Sequence, residues 1–293
     1  MGEKARPLNP MADIFVRYLL GSEGNKDILI DFINAVFTQK GQKPIVEIEL
    51  LNPFNLRTVR ESKESILDVK ARDSNGRWIN IEIQIDNDGS YANRSLYYWA
   101  KNYAGQLGSG EGYGELSPAV CINLLDFEIF PQLPGYHSCF QVTEVEQPEY
   151  VLSEHLQIHF IELPKNQLQS TDQVQNDLDR WCYYFEHEGT VEEEEMTVLL
   201  NENQALDRAH QVYRDFTANA ELMDMAEARE KWLKDVNTKL RTAEQRGKDE
   251  GIQQGMKRAR REDARKMLDE GFEVRTISRI TGLSEQEISK LSK

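Results

Sequence analysis

The chain predicts an α/β fold: a mixed β-sheet flanked by helices, with a helical C-terminal extension. Three observations carry this. Ile79, Ile81, Ile83 and Ile85 alternate with Asn80, Glu82 and Gln84 at a strict period of two, which marks a strand with one greasy face. Residues 25–37 instead space their apolar side chains at helical intervals. From about Thr171 the pattern is helical to the end.

Taken in order, residues 11–38 read as two helices broken at Gly21-Ser22-Glu23-Gly24. A strand over 45–51 stops at Asn52-Pro53. A hairpin follows. If Ser74-Asn75-Gly76 is a three-residue loop with Gly76 in the left-handed region, Asp73 pairs with Arg77. Counting back then sets Asp68 opposite Glu82, their side-chain bases about 5 Å apart. A two-residue Asn-Gly turn would slip the register by one and send Asp68 to the other face. Ser90 is placed to cap a helix over 91–107, and 108–114 is a glycine-rich loop. Ala119–Leu125 reads as a buried strand, and strands near 138–145 and 157–163 complete the sheet.

The C-terminal third changes character. A long helix over 222–268 meets few breakers other than Gly247, Gly251 and Gly255. Glycines four apart share one helix side, which suits either a weakened connector or close packing against a partner chain. Lys257, Arg258, Arg260 and Arg261 open a basic stretch ending at Lys266. In the tail, Gly271 stops a helix, Thr281-Gly282 makes a turn, and Ser284 with Glu287 forms a capping box. Ile277, Ile280, Leu283, Ile288 and Leu291 are the expected miniature core of a helix-turn-helix-like unit. The expected organisation is a core over 1–170, a helical extension over 171–256 and a tail over 257–293.

Bulk properties narrow the function. With 293 residues and a net charge of −15, the chain is unsuited to general adhesion to nucleic acid, so any DNA contact must be local. The concentrated cations of 257–266 answer part of that objection. No run of apolar residues is long enough for a membrane span. The polar N-terminus lacks a signal core, so a cytoplasmic protein is expected. Cys121, Cys139 and Cys182 are too scattered for a zinc site or a disulfide framework.

Two carboxylates facing each other repel unless a cation sits between them. Mg2+ prefers oxygen donors and keeps several waters, so Asp68, Glu82 and the Ile83 backbone carbonyl suffice. The bland alternative is a solvated carboxylate pair. Arg94, Tyr97, Tyr98 and Lys101 share one helix face that could steer phosphates past the metal. Tyr97, Tyr98, Trp99 and Tyr103 also suit helix–sheet packing.

With these pieces in place, the chain resembles the Rpn family of recombination-promoting nucleases, also called PD-(D/E)XK transposase-like proteins. The resemblance runs from Asp13-Ile-Phe-Val-Arg-Tyr-Leu-Leu-Gly21 through residues 65–73 and 80–84 to Arg94-Ser-Leu-Tyr97, and closes on Ile280-Thr-Gly-Leu-Ser284. It implies a restriction-endonuclease-like core that cuts DNA with Mg2+, for which Mn2+ could substitute. Asp68 and Glu82 match the metal-binding acids and Gln84 the third motif residue. The wider superfamily usually has lysine there, so Lys70, Arg94 or Lys101 is looked to for positive charge to offset the phosphate, and Asp13 for a water-mediated metal contact. The expectation is a Mg2+-dependent DNA endonuclease of low sequence specificity, linked to recombination or transposase-like activity. Its rivals are a DNA-binding protein that no longer cuts, and an assembly protein whose C-terminal helices join copies into a homo-oligomer.

Overall fold

The computed structural model describes residues 7–55, 68–87 and 89–291. Its strands are β1 (Ile48–Leu50), β2 (Val69–Asp73), β3 (Trp78–Gln84), β4 (Ala119–Leu125), β5 (His137–Phe140) and β6 (Leu156–Glu162). They form one six-stranded sheet in the order β1-β2-β3-β4-β6-β5. Pairing is parallel at β3–β4 and β4–β6 and antiparallel elsewhere, so the sheet is mixed. The helices are α1 (Asp13–Gly21), α2 (Lys26–Gln39), α3 (Tyr91–Ala104), α4 (Asp177–His187), α5 (Glu193–Glu202), α6 (Gln204–Ala218), α7 (Ala220–Asp269), α8 (Val274–Thr281) and α9 (Glu285–Ser289). The parallel β3–β4 pair requires a crossover, and α3 provides it.

The sheet has two unlike faces because successive side chains alternate. Ile79, Ile81, Val69, Ala71, Val120, Ile122 and Leu124 join α1, α2, α4 and α6 in the main core. Within α4, Trp181, Tyr183, Tyr184 and Phe185 are all buried, and each such side chain contributes about 1.5–3 kcal/mol. Trp181 meets Phe32 edge-on at 5.5 Å and donates its Nε1–H to Asp31 at 2.8 Å. The opposite face carries Cys121, Leu125, Ile158 and Phe160 under Tyr91 and Trp99 of α3. Asn80, Glu82 and Gln84 lie on this thinner side, which positions the site.

The fold class is the expected one, and several element ends differ for local reasons. The strand expected over 45–51 narrows to Ile48–Leu50 because Ile45 gives its N–H and C=O to the Asn34 side chain instead. The strand expected from 138 to 145 ends at Phe140, after which 142–152 fold back on themselves around a Thr143–Val151 bridge. The helix expected to reach 107 stops at Ala104 with Gly105 as its C-cap. Ser90 holds the N-cap position of α3 without a side-chain capping bond to it.

Backbone contacts divide the chain into two units, Met1–Ala228 and Arg229–Lys293. In the second, Ala264, Ile277, Leu283 and Ile288 are buried, with Met267, Leu268, Val274 and Leu291 packed against them. Ile280, expected in this core, is 61% exposed. The inward position one turn beyond Ile277 belongs to Thr281, whose hydroxyl donates to the Ile277 carbonyl at 2.8 Å. Gly282 closes α8 in the left-handed region at φ 70°, and Ser284 and Glu287 make the capping box of α9. A Cβ placed on Gly247, Gly251 or Gly255 would meet nothing within 4 Å, so their spacing serves no close approach among the described residues.

Candidate active site

The β2–β3 hairpin sets the site's geometry. Asp73 and Arg77 close it: the Asp73 N–H donates to the Arg77 carbonyl and the Gly76 N–H to the Asp73 carbonyl, both at 3.0 Å. The Asp73 side chain accepts the Asn75 and Arg77 amides at 2.9 Å and the Arg77 Nε–H at 2.6 Å. Gly76 sits at φ 83°, the left-handed residue of a three-residue loop. Val69 therefore pairs with Ile81 and Lys70 with Asn80. Continued one residue past the last pair, this register sets Asp68 opposite Glu82, and the charge of Asp68 reaches Glu82. Counting from the hydrogen-bonded Asp73–Arg77 pair, this position is of the non-hydrogen-bonded kind, where Cα atoms stand about 4.5 Å apart and side chains approach most closely. Residues 65–67 of the matching motif lie outside the described residues.

Asn52 anchors the strand entry. Its Nδ2 donates to the Asp68 carbonyl at 3.1 Å, and its Oδ1 accepts the Lys70 N–H at 2.7 Å. Arg17 of α1, 5% exposed, donates from Nη2 to the Asn52 carbonyl. Burial lowers the Arg17 pKa and the charge of Asp68 pulls it back up. A Cβ on Gly21 would run into the Arg17 guanidinium, so glycine there makes room for it.

Acids and cations crowd the hairpin mouth. Burial, and then repulsion from Asp68, push the Glu82 carboxyl up to about 7 against the help of Asn80, Arg94 and Lys70. Asn80 Nδ2 donates to Glu82 Oε1 at 2.9 Å, and Lys70 Nζ stands 3.3 Å from Asp68 Oδ2. Asn80 Oδ1 is buried with no hydrogen-bond partner. Two carboxylates that repel, beside an orphaned oxygen, fit a hydrated hard cation such as Mg2+. The Ile83 carbonyl fits as well. Gln84 O accepts the Asp126 N–H on the β4 side at 3.0 Å, so by alternation Ile83 O turns toward β2.

Other expected residues fall into place unevenly. Gln84 Oε1 accepts from Arg94 Nη2 at 2.7 Å, joining β3 to α3. Asp13 uses Oδ1 to accept the Ile14 N–H, and no group of three or more acidic, histidine or cysteine ligands forms among the described residues. Tyr98 is half-buried and Lys101 exposed. Of the four aromatic residues, Trp99 packs inward and donates to the Ala119 carbonyl at 2.8 Å, whereas Tyr97 is 62% exposed. Lys257, Arg258, Arg260 and Arg261 all lie exposed on α7, in the second unit. Sequence reasoning missed Asn52 and Arg17 as supports of the strand entry at Asp68. Asn80 could have been found, because it shares the alternating face of Glu82 and Gln84.

Comparison with family models returns a match to the PD-(D/E)XK nuclease family transposases over residues 10–243. The chain belongs to that family. Residues 257–293 match the C-terminal helix-turn-helix domain of the Rpn/YhgA-like nuclease family, in line with the two short helices and capping box seen there. No curated protein and no solved structure gives a significant match. Among the described residues no helix is long and apolar enough to cross a membrane.

Proposed function

We propose that this family member is a Mg2+-dependent DNA endonuclease of low sequence specificity that acts in the cytoplasm in recombination or transposase-like processes. What supports this reading is the hairpin register, which leads Asp68 toward Glu82, together with the raised Glu82 carboxyl, whose causes are burial and then the charge of Asp68. Asp68, Glu82 and the Ile83 carbonyl would hold the metal. A divalent cation bound there supplies an activated water and offsets charge on the scissile phosphate. Asn52 keeps Asp68 and Lys70 in register, Lys70 balances Asp68, and Asn80 orients Glu82. Gln84 positions the hydrolytic water or its cationic neighbour. Asp13 is assigned an outer, water-mediated contact at most. Arg94, Tyr98 and Lys101 guide the DNA backbone, and the cations from Lys257 to Arg261 add affinity through the helix-turn-helix unit. Copies join through the C-terminal helices, where the open glycine stripe leaves room for a partner helix.

Incubation of supercoiled plasmid with purified protein and Mg2+ or Mn2+ tests this. Nicking that disappears on chelation and in Asp68→Ala supports the reading; equal cleavage by wild type and variant rejects it. A second reading, DNA binding without cleavage, draws on the neutral Gln84 and on the absence of a third acid among the described residues. Retained DNA affinity with no metal-dependent nicking would favour it. Light scattering on the full chain and on a variant lacking 240–293 checks the assembly role.

A further inference from the structure

Asp68 lies beyond the last paired residues of β1 and β2, which are Leu50 and Ala71. Its place opposite β3 is of the non-hydrogen-bonded kind, so β3 gives it packing but no ladder bond. The backbone groups of Asp68 and Lys70 turn instead toward the β1 side. There a side chain continues the ladder. The Leu51 N–H donates to the Lys70 carbonyl at 2.8 Å. The Asn52 carboxamide then accepts the Lys70 N–H and donates to the Asp68 carbonyl. The direction of the Asp68 side chain therefore follows from where Asn52 stands.

Asn52 stands where α1 puts it. Buried Arg17 donates from Nη2 to the Asn52 carbonyl. Two residues on, the Phe54 N–H donates to the Gly21 carbonyl at 2.7 Å, and the Phe54 ring meets Tyr18 edge-on at 5.2 Å. Residues 52–54 are thus a strap fastened to α1 at Arg17, Tyr18 and Gly21. Gly21 leaves the space that the guanidinium fills, because a Cβ there would run into it. A buried cation is costly without a compensating charge, and the charge of Asp68 reaches Arg17.

A metal-binding carboxylate is held only as well as the groups behind it orient it. We propose that Arg17 is a positioning residue of the metal centre, fixing Asp68 through the Asn52 strap. This rests on the nuclease reading above and extends its machinery to the first helix. Arg17 is buried, so in this role it meets neither metal nor DNA. It sets how Asp68 stands toward Glu82, and so the fit of a cation between them.

Asn34 offers an internal comparison. Its carboxamide brackets Ile45 in the same manner, accepting the N–H at 2.7 Å and donating to the carbonyl at 2.9 Å. That bracket precedes Ile48, which pairs with Asp73, so it serves the end of β1 away from Asp68.

The test uses the full chain, with Mn2+ affinity from calorimetry, kcat and KM on supercoiled plasmid, and Tm in chelator. Arg17→Met should weaken Mn2+ binding and lower kcat by about 10-fold or more, with KM for plasmid within about threefold. Arg17→Lys, which keeps a cation and a donor, should recover part of both losses. Gly21→Ala keeps Arg17 but crowds its guanidinium, and should reproduce part of them. Adding Arg17→Met to Asn52→Ala should cost no more than Asn52→Ala alone, because both act on one strap. Asn34→Ala should lower Tm and leave Mn2+ affinity and kcat unchanged. If Arg17→Met fails to fold, Arg17→Lys and Gly21→Ala serve in its place. Folded Arg17 and Gly21 variants within about threefold of wild type in both Mn2+ affinity and kcat overturn this assignment alone. Equal losses in Asn34→Ala make the effect a general loosening and overturn it too. A wild type that neither binds Mn2+ nor cuts removes the nuclease reading, and this inference with it.

Discussion

Asp68 and Glu82 each lie one residue past the Val69–Ile81 pair, and the charge of Asp68 reaches Glu82. Burial and that acidic neighbour raise its carboxyl to about 7, so near neutral pH a proton competes with any cation bound there. A metal that needs the carboxylate must displace this proton. Mn2+ affinity should therefore be about tenfold weaker at pH 6 than at pH 8. Calorimetric titrations at the two pH values check this; equal affinities would contradict it.

The same shift affects stability without metal. A carboxyl whose folded pKa lies above its unfolded value binds more protons when folded. Its contribution is full below the unfolded pKa of 4.5 and is lost as pH rises through about 7. Glu82→Gln removes the charge but keeps an oxygen for Asn80. At pH 8 the metal-free variant should be more stable by about 1 kcal/mol, or about 2–4 °C in Tm. Thermal melts in chelator decide the point, and a lower Tm for the variant would count against it.

Turn length controls which face Asp68 occupies. Deleting Asn75 should shift the register by one residue, turn Asp68 toward the main core and abolish Mn2+ binding while far-ultraviolet dichroism changes little. Gly76→Ala keeps the length but forces a Cβ into the left-handed region, 3.2 Å from Ser117 Oγ. It should cost about 1 kcal/mol or more and retain metal binding. Metal binding by the deletion variant at wild-type affinity would refute the register argument.

A buried histidine pair should make the fold acid-sensitive. His137 Nε2 and His159 Nδ1 are 3.0 Å apart, and Cys139 Sγ lies 3.6 Å from His159 Nε2. Burial, then the His159 ring and Lys40, hold His137 down to about 2, and burial, then Lys40, hold His159 down to about 3. Both stay neutral in the fold while the unfolded chain protonates near 6.5, so their stabilisation is complete above that pH and lost as pH falls. Each should cost about 1.4 kcal/mol per pH unit below 6.5. Urea midpoints from pH 7 to pH 5 measure this slope. His159→Gln should flatten it; an unchanged slope would assign the acid sensitivity elsewhere.

Much of the core was legible because its signals are local. Alternation over Ile79–Ile85, the glycine turn and the uniformly apolar Ala119–Leu125 each need only neighbouring residues to be read. The supports around Asp68 are of another kind. Arg17 and Asn52 meet it from 51 and 16 residues away in sequence, positions that periodicity cannot connect. Arg94 was visible as part of a cationic helix face, but its bond to Gln84 depends on how α3 lies over β3. Ile280 shows the opposite failure. An apolar residue at the right spacing was displaced from the tail core by Thr281, whose hydroxyl the helix itself satisfies.

Anomalous scattering from Mn2+-soaked crystals of the full chain tests the central claim most directly. The account predicts a peak within about 2.0–2.3 Å of oxygens from both Asp68 and Glu82. A peak held by other residues, or none at millimolar Mn2+, would contradict it.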